Sequence, residues 1–124
     1  TEVTRLVDRA GSTMKFRPTL AFEGAVRTLV ADEVVPDLLA VLGEALSNAS
    51  RHSEASTVDV LVSAGDHVAV QVRDDGKGFD AGVDESGLRN MRDRARKHGG
   101  DLVVSSAVGV GTTLTWSVPT RPGP

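Results

Sequence analysis

The stretch STVDVLVSAGDHVAVQVRDDGKGF, residues 56–79, decides the fold class because its apolar and polar residues alternate in two successive runs. A period of two is typical of strands with one buried face, and Gly65-Asp66 between the runs is typical of a tight turn. The stretch therefore predicts a β-hairpin whose second strand ends at Asp74. The alternating apolar positions are Val58 with Val60 or Leu61, then Val68, Val70 and Val72.

A long amphipathic helix is predicted before this hairpin, from about Glu33 to His52. Asp32 is the predicted N-cap, and Pro36 falls in the first turn, where its missing N–H costs little. Apolar residues recur at about 100° per residue along one side of the helix, which is the predicted core face. They are Leu38, Leu42, Ala45, Leu46 and Ala49.

The second strong helix is predicted from Gly87 to His98, with Gly99 at its C-cap position. Leu88, Met91 and Ala95 give it an apolar stripe. The other predicted elements are a weak helix over 1–14, a strand over 19–23, a loop over 74–86, and a hairpin over 101–119 in which Trp116 belongs to the core.

Two hairpins, an N-terminal strand and two substantial helices predict an α+β fold, a two-layer sandwich with helices on one face of a mostly antiparallel mixed sheet. The segment GKGF lacks the spacing of a phosphate-binding P-loop, and the chain has no βαβ alternation. The predicted organisation is a single domain. It comprises an N-terminal helix and strand over 1–32, a core over 33–119 and a loose tail over 120–124.

Composition narrows the classes of function. The chain has 124 residues, 40% of them apolar, which is long enough for one domain with a real core. It has no cysteine, which excludes disulfides and thiolate metal sites, and its net charge of −3 argues against a nucleic-acid surface. No run reaches the roughly 20 apolar residues of a membrane-spanning helix. We therefore expect a cytoplasmic protein region with no nucleic acid and no membrane among its partners.

Four short motifs carry polar groups of the kind that ligand sites use. Glu44, Asn48 and His52 follow one another at a spacing of four on one flank of the long helix, which fits a solvated edge or one side of a site. DDGKGF (74–79) places a carboxylate beside two glycines, and ESGLRNM (85–91) starts a helix whose N–H groups could face an anion. GVGTT (109–113) separates the last two strands. Taken singly, DDGKGF is equally typical of a turn, whereas ESGLRNM and GVGTT are more typical of an ordinary helix start and a hairpin.

The order of these motifs is more specific than any one of them. Glu-x-x-x-Asn-x-x-Arg-His on a helix, strand-Asp-x-Gly-x-Gly, a glycine-opened helix and Gly-x-Gly-Thr before the last strand resemble the Bergerat-type (GHKL) ATP-binding fold. Histidine kinases, gyrase, Hsp90 and MutL share that fold. The resemblance covers roughly residues 33–119. Within the group, EALSNASRH, DDGKGF, GLRNMRDRARKHGGDL and GTTLTWSVP are similar to the NarX/DesK-like sensor histidine kinases, and most of all to actinobacterial GAF-containing sensors of the DevS/DosT kind.

The resemblance implies a role for each polar residue. Asn48 matches the Mg²⁺-ligand position, since an amide oxygen suits a hard cation. Glu44 matches the acid that orients or deprotonates the attacking nucleophile. Arg51 and His52 match positions near the phosphates or ribose. The remaining implied contacts are Asp74 with the adenine amino group, Gly76 and Gly78 beside the base, Gly87 and Leu88 at the phosphates, and Thr112 or Thr113 near the adenine.

The resemblance also implies an activity, transfer of the γ-phosphoryl group of ATP–Mg²⁺ to a histidine on a separate dimerisation domain of the same kinase. Onward transfer to a response regulator would follow, and the full-length protein would be a homodimer. The acceptor signature is absent from this sequence, so residues 1–32 would lead in from a missing dimerisation region. Two alternatives remain open, an anti-sigma-factor-type serine kinase of the same fold and a non-catalytic nucleotide- or partner-binding module.

The short loop between the glycine motifs and the basic run on the second strong helix give two further expectations. Only residues 80–86 are available for the lid that many relatives have between the glycine motifs, which predicts weak nucleotide binding by this domain alone. The basic run is interpreted as a solvated helix face, with Arg89 or Arg92 reaching a phosphate or partner as the alternative. His67 and His98 are interpreted as surface residues. The run comprises Arg89, Arg92, Arg94, Arg96 and Lys97.

Overall fold

A computed structural model of the chain describes residues 2–11, 18–26, 30–52, 57–76, 85–107 and 110–120. Within them the structure contains three helices and one five-stranded sheet. The elements are α1 (Glu2–Gly11), β1 (Thr19–Glu23), α2 (Val35–His52), β2 (Val58–Ala64), β3 (His67–Asp74), α3 (Glu85–Lys97), β4 (Asp101–Ala107) and β5 (Gly111–Pro119).

The strands are ordered β1-β2-β3-β5-β4. β1 runs parallel to β2, and the other three pairings are antiparallel. Both predicted hairpins are present, β2 with β3 and β4 with β5. The prediction of an α+β sandwich with a mostly antiparallel mixed sheet is confirmed.

The core lies between the helices and one face of the sheet, where aligned side chains from neighbouring strands form apolar rows. Val70, Trp116 and Leu102 lie side by side on β3, β5 and β4 and are all buried. The Trp116 indole Nε1 donates to the Met91 carbonyl of α3, 2.9 Å away, so its one polar atom is satisfied inside the core. The next row along the strands is Val60, Val72, Leu114 and Val104.

Both large helices begin two residues away from their predicted starts. α2 begins at Val35 rather than Glu33, because residues 32–34 form a turn in which the Val35 N–H donates to the Asp32 carbonyl. α3 begins at Glu85 rather than Gly87. It ends at Lys97, one residue before the predicted His98, and Gly99 caps it as predicted, with a φ of +82° that suits glycine. There the N–H groups of Gly99 and Gly100 donate to carbonyls of the last turn.

The edge strand β1 is only partly covered by the rest of the fold. On the edge strand β1, Phe22 aligns with Val62 on the helix-covered side yet remains 47% exposed. Thr120, which was predicted to begin a loose tail, donates its N–H to the Asp66 carbonyl and its hydroxyl to the Gly65 carbonyl. Residues 121–124 lie outside the described residues. None of the described helices combines the length and apolar character needed to cross a bilayer.

Candidate functional site

At one end of the sheet, the apolar rows of the helix-covered face are followed by a row of polar side chains. Asp74 is the last residue of β3 and pairs with Thr112 near the start of β5, which in turn pairs with Ser106 near the end of β4. Because side chains alternate between faces along a strand, these three point to the same helix-covered side as Val72 and Leu114. We call Asp74, Thr112 and Ser106 the polar row.

Asp74 is half-buried and is held by backbone donors. The Gly76 N–H donates to its carboxylate at 2.9 Å, and the Thr112 N–H donates to it across the strand pair. Burial raises the pKa of Asp74, an effect that the two N–H donors oppose and that the nearby Asp75 carboxylate reinforces. A carboxylate has acceptor sites for about four hydrogen bonds, so these two donors leave capacity for a ligand's N–H group.

The start of β5 comes unusually close to the end of β3. Gly111 has φ of +138°, and a Cβ built there would lie 2.2 Å from the Asp74 carbonyl oxygen. Any side chain at 111 would therefore separate the two strands. This explains why the sequence has glycine immediately before Thr112, and it fixes Thr112 against Asp74.

The C-terminal half of α2 lies at the same end of the sheet. The helix ends at His52, and the chain enters β2 at Val58, which pairs directly with Asp74. Six residues span at most about 20 Å, so the C-terminal end of α2 lies within that distance of this end of β3. Glu44 and Asn48 are half-buried on the C-terminal half of α2, and Asn48 has an interaction within the protein. The topology thus brings the predicted helix flank and the predicted carboxylate to one end of the molecule.

The start of α3 belongs to the same end. Its C-terminal end leads at once into β4, which begins opposite Ser117 and runs toward the polar row, so the N-terminal end of α3 points back to that row. Gly87 is buried in the first turn, and Leu88 is half-buried and packs against the core. A helix N-terminus at this position adds N–H donors and a positive dipole end.

Not every predicted residue joins this group. Thr113 points to the opposite face of the sheet from Thr112, because the two are adjacent on one strand. Gly78 and the side chains of Arg51 and His52 lie outside the described residues. Ser106 was not among the predicted residues, although its Oγ is 3.0 Å from the Thr112 Oγ1. Its place six residues before Thr112, across a short hairpin turn, was the available signal.

A second polar cluster lies at the other end of the two helices. The Asp37 carboxylate, only 4% exposed, accepts from the Arg94 Nη1 at 2.5 Å, the Lys97 Nζ at 2.8 Å and the His98 Nε2 at 2.6 Å. Burial alone would raise the pKa of Asp37, but the hydrogen bonds from Lys97, His98 and Arg94, together with the Lys97 charge, outweigh it and lower the pKa to about 2. We call these four residues the Asp37 cluster.

The Asp37 cluster corrects two predictions. His98 is not a surface residue, since its side chain is 14% exposed and bonded to Asp37. The basic run is only partly a solvated face, because Arg94 and Lys97 bind a buried carboxylate while Arg92 and Arg96 lie 3.6 and 3.7 Å from the exposed Asp101. The signal was present in the sequence as the i, i+3, i+4 spacing of residues 94, 97 and 98 on one helix face. His67, by contrast, is exposed as predicted.

The two polar groups differ in the chemistry that they offer. The polar row presents a half-buried carboxylate acceptor beside two hydroxyl groups at the end of the core, which suits a ligand that carries an N–H donor. No group of three or more His, Asp or Glu side chains among the described residues is arranged to hold a metal ion.

Comparison with known proteins identifies the family of the chain. Residues 33–122 match the family model described as histidine kinase-, DNA gyrase B-, and HSP90-like ATPase. The chain belongs to this family. The match begins just before α2 and extends past β5, so this ATPase-family domain contains both the polar row and the Asp37 cluster.

Curated relatives are sensor kinases. Sensor histidine kinase LiaS of Bacillus subtilis (strain 168) is 36% identical over 99 residues, which are 77% of this chain and 28% of that protein. Sensor protein VraS of Staphylococcus aureus (strain COL) is 36% identical over 88 residues, 66% of this chain and 25% of that protein. The chain therefore spans about a quarter of the length of these relatives.

A solved structure shows the same fold. The blue-light activated histidine kinase of Erythrobacter litoralis matches 95% of this chain and 40% of its own, with a TM-score of 0.71 and 21% sequence identity. At this identity the likeness supports the architecture described above, and the assignment of residues must come from this chain.

Proposed function

We propose that this chain is the ATP-binding catalytic domain of a two-component sensor histidine kinase. The observation that carries the proposal is the convergence of Asp74, Thr112, the C-terminal half of α2 and the start of α3 at one end of the sheet, in a chain of the ATPase family. The relatives named as sensor histidine kinases support the choice among the functions that the family contains.

Asp74 and Thr112 are proposed to bind the adenine base. An ionised carboxylate only accepts hydrogen bonds, so Asp74 selects an amino group, and the N–H groups of Gly76 and Thr112 already fix its direction. Gly76 and Gly78 would leave room for the base beside the loop. Thr112 rather than Thr113 is the proposed hydroxyl, because only Thr112 shares the face of Asp74.

The two helix ends are proposed to hold the triphosphate. Asn48 would supply an amide oxygen to Mg²⁺, which commonly takes one or two protein ligands together with phosphate oxygens. When bound, the metal ion would offset charge on the phosphates. The N-terminal turn of α3 at Gly87 and Leu88, with Arg51 and His52 of α2, would add donors toward the phosphates and the ribose.

Glu44 is the proposed catalytic residue, one turn before Asn48 on α2. In the reaction, a ring nitrogen of an acceptor histidine forms a bond to the γ-phosphorus while the bond from that phosphorus to the bridging oxygen breaks, and ADP leaves. Glu44 orients the acceptor imidazole or takes its ring proton. Positioning and electrostatic stabilisation supply most of the catalysis in such transfers.

The partners follow from this role. The acceptor histidine would lie on a dimerisation domain of the same kinase, in a homodimer, and a response regulator would receive the phosphoryl group. The quoted motifs support a finer assignment to the NarX/DesK-like sensor kinases, of the DevS/DosT kind. The domain would act in the cytoplasm.

Amide NMR spectra of this 13.0 kDa chain provide the first test, because they detect even millimolar affinity. Titration with ATP and Mg²⁺ should shift the amide signals of Gly76 and Thr112 and leave the turn at Gly65 unmoved. An absence of shifts at millimolar ATP, or shifts at the Gly65 turn instead, would refute nucleotide binding at the polar row.

Phosphotransfer provides the second test. The domain, mixed with ATP and the dimerisation segment of its own kinase, should form an acid-labile phosphohistidine on that segment. Acid-stable phosphoserine on an antagonist protein would identify a serine kinase instead, and ATP binding with no transfer would identify a regulatory module.

A further inference from the structure

The Thr112 hydroxyl of the polar row is hydrogen-bonded to a second hydroxyl on the neighbouring strand. Its Oγ1 lies 3.0 Å from the Ser106 Oγ, the side chain directly opposite on β4, and either oxygen could be the donor. Thr112 is 8% exposed, whereas Ser106 lies in an exposed part of β4. The buried hydroxyl therefore has a defined partner on the side away from Asp74.

The direction of this hydrogen bond determines what Thr112 can offer to a base. A hydroxyl has one O–H donor and two acceptor lone pairs. If Ser106 donates to Thr112, the Thr112 O–H remains available as a donor next to the Asp74 acceptor. If Thr112 donates to Ser106, only acceptor capacity remains toward the ligand.

Adenine requires the first arrangement. Its 6-amino group is a donor and the adjacent ring N1 an acceptor, which complements an Asp74 acceptor beside a Thr112 donor. Guanine has the reverse pattern, a carbonyl oxygen followed by N1–H, and would place acceptor against acceptor and donor against donor.

We propose that Ser106 is a positioning and specificity residue that donates to Thr112 and thereby directs the Thr112 hydroxyl toward the base, favouring adenine over guanine nucleotides. This inference rests on the proposed function, since it concerns the same site. Because Ser106 acts through Thr112, its loss should lower the ratio of ATP affinity to GTP affinity while the fold is retained.

The test compares Ser106→Ala with Ser105→Ala, because Ser105 directly precedes Ser106 on β4 and points to the opposite face of the sheet. Dissociation constants for ATP and for GTP are measured by NMR titration for wild type and both variants. One net hydrogen bond is worth about 1 kcal/mol, roughly a fivefold change in affinity. Because Ser106→Ala keeps the Thr112 hydroxyl and only removes the group that directs it, the variant should weaken ATP binding by less than this full value, about threefold, leave GTP binding unchanged, and so lower the ATP preference. Ser105→Ala should match wild type.

Ser106→Thr keeps the hydroxyl and should restore most of the ATP preference. An unchanged ATP-to-GTP ratio in Ser106→Ala, with wild type binding ATP at the polar row, would overturn the role of Ser106 and leave the proposed function standing. If wild type bound neither nucleotide, the proposed function itself would fail and this inference with it. A thermal melt of each variant shows whether the fold is retained.

Discussion

A buried or half-buried aspartate lies near each end of the α2–α3 helix pair, and the two carboxylates have opposite surroundings. Asp37 is surrounded by cations from α3, and its pKa is lowered to about 2. Asp74 accepts hydrogen bonds from the backbone N–H groups of Gly76 and Thr112, and burial raises its pKa. The Asp37 carboxylate stabilises the fold. Burial of the Asp74 carboxylate costs stability, and its charge is available to a ligand.

The sharpest test of this contrast is to place asparagine at each position. Asp74→Asn should reduce ATP affinity more than about 100-fold, because an acceptor for the adenine amino group becomes an amide that can present a donor. NMR titration measures the loss. Retained ATP binding by this variant would remove the central assignment of the site.

The same Asp74→Asn variant should keep the fold and melt at the wild-type temperature or slightly above it. A carboxyl group whose pKa is raised in the folded state stabilises the protein at low pH, and that contribution is lost as pH rises through the folded pKa. At neutral pH, replacing the charge therefore removes a small cost. A melting temperature well below that of wild type would show that Asp74 is structural.

Asp37→Asn should behave in the opposite way. Loss of the carboxylate leaves Arg94, Lys97 and His98 without their shared partner, and because the Arg94 and Lys97 side chains are partly exposed we expect a loss of about 2 kcal/mol rather than the larger value for fully buried pairs. Thermal or urea unfolding measures it. ATP affinity of the folded variant should stay within about twofold of wild type, since the cluster is at the other end of the helices.

The lowered pKa of Asp37 also predicts a pH dependence. The stability that the ionised group contributes is complete above its ordinary pKa of 3.8 and is lost as pH falls toward about 2. Wild type should therefore lose stability between about pH 5 and 2 more steeply than Asp37→Asn. Parallel acid-unfolding curves for the two proteins would contradict this account.

Much of the fold follows from local patterns, and most of the confirmed predictions depend on residues that are close in sequence. The alternation in β2 and β3, the apolar face of α2 and the Gly99 cap each depend on neighbours in sequence. The start of α2 lies two residues later than predicted because residues 32–34 form a turn in place of the first helical turn. The family assignment is confirmed, because it depends on the order of several motifs.

The parts that sequence analysis missed depend on how elements pack together. His98 was placed on the surface because nothing near it in sequence reveals Asp37, 61 residues away. Ser106 and the choice between Thr112 and Thr113 require the strand register. The roles of Glu44, Asn48, Arg51 and His52 toward a nucleotide stay predictions, as does the short lid.

A smaller effect separates the two threonines. Thr112→Val should lower ATP affinity about fivefold, because it removes one hydroxyl hydrogen bond of about 1 kcal/mol at the polar row. Thr113→Val should leave ATP affinity unchanged, since that side chain points to the other face of the sheet. A loss caused by Thr113→Val and not by Thr112→Val would reverse the assignment. NMR titration of both variants decides it.

The smallest expected effect concerns the exposed part of the basic run. Arg96 lies 3.7 Å from Asp101, with both side chains more than half exposed, and such surface pairs contribute less than about 0.5 kcal/mol. Arg96→Met should therefore barely change the free energy of unfolding, whereas Arg94→Met, two residues earlier, should cost about 1 kcal/mol because it removes a donor from the buried Asp37. Urea unfolding of the two variants compares the same chemical change on one helix. Equal losses would mean that burial of the acceptor does not distinguish the two arginines, and the contrast between the two ends of the helix pair would then rest on Asp74 alone.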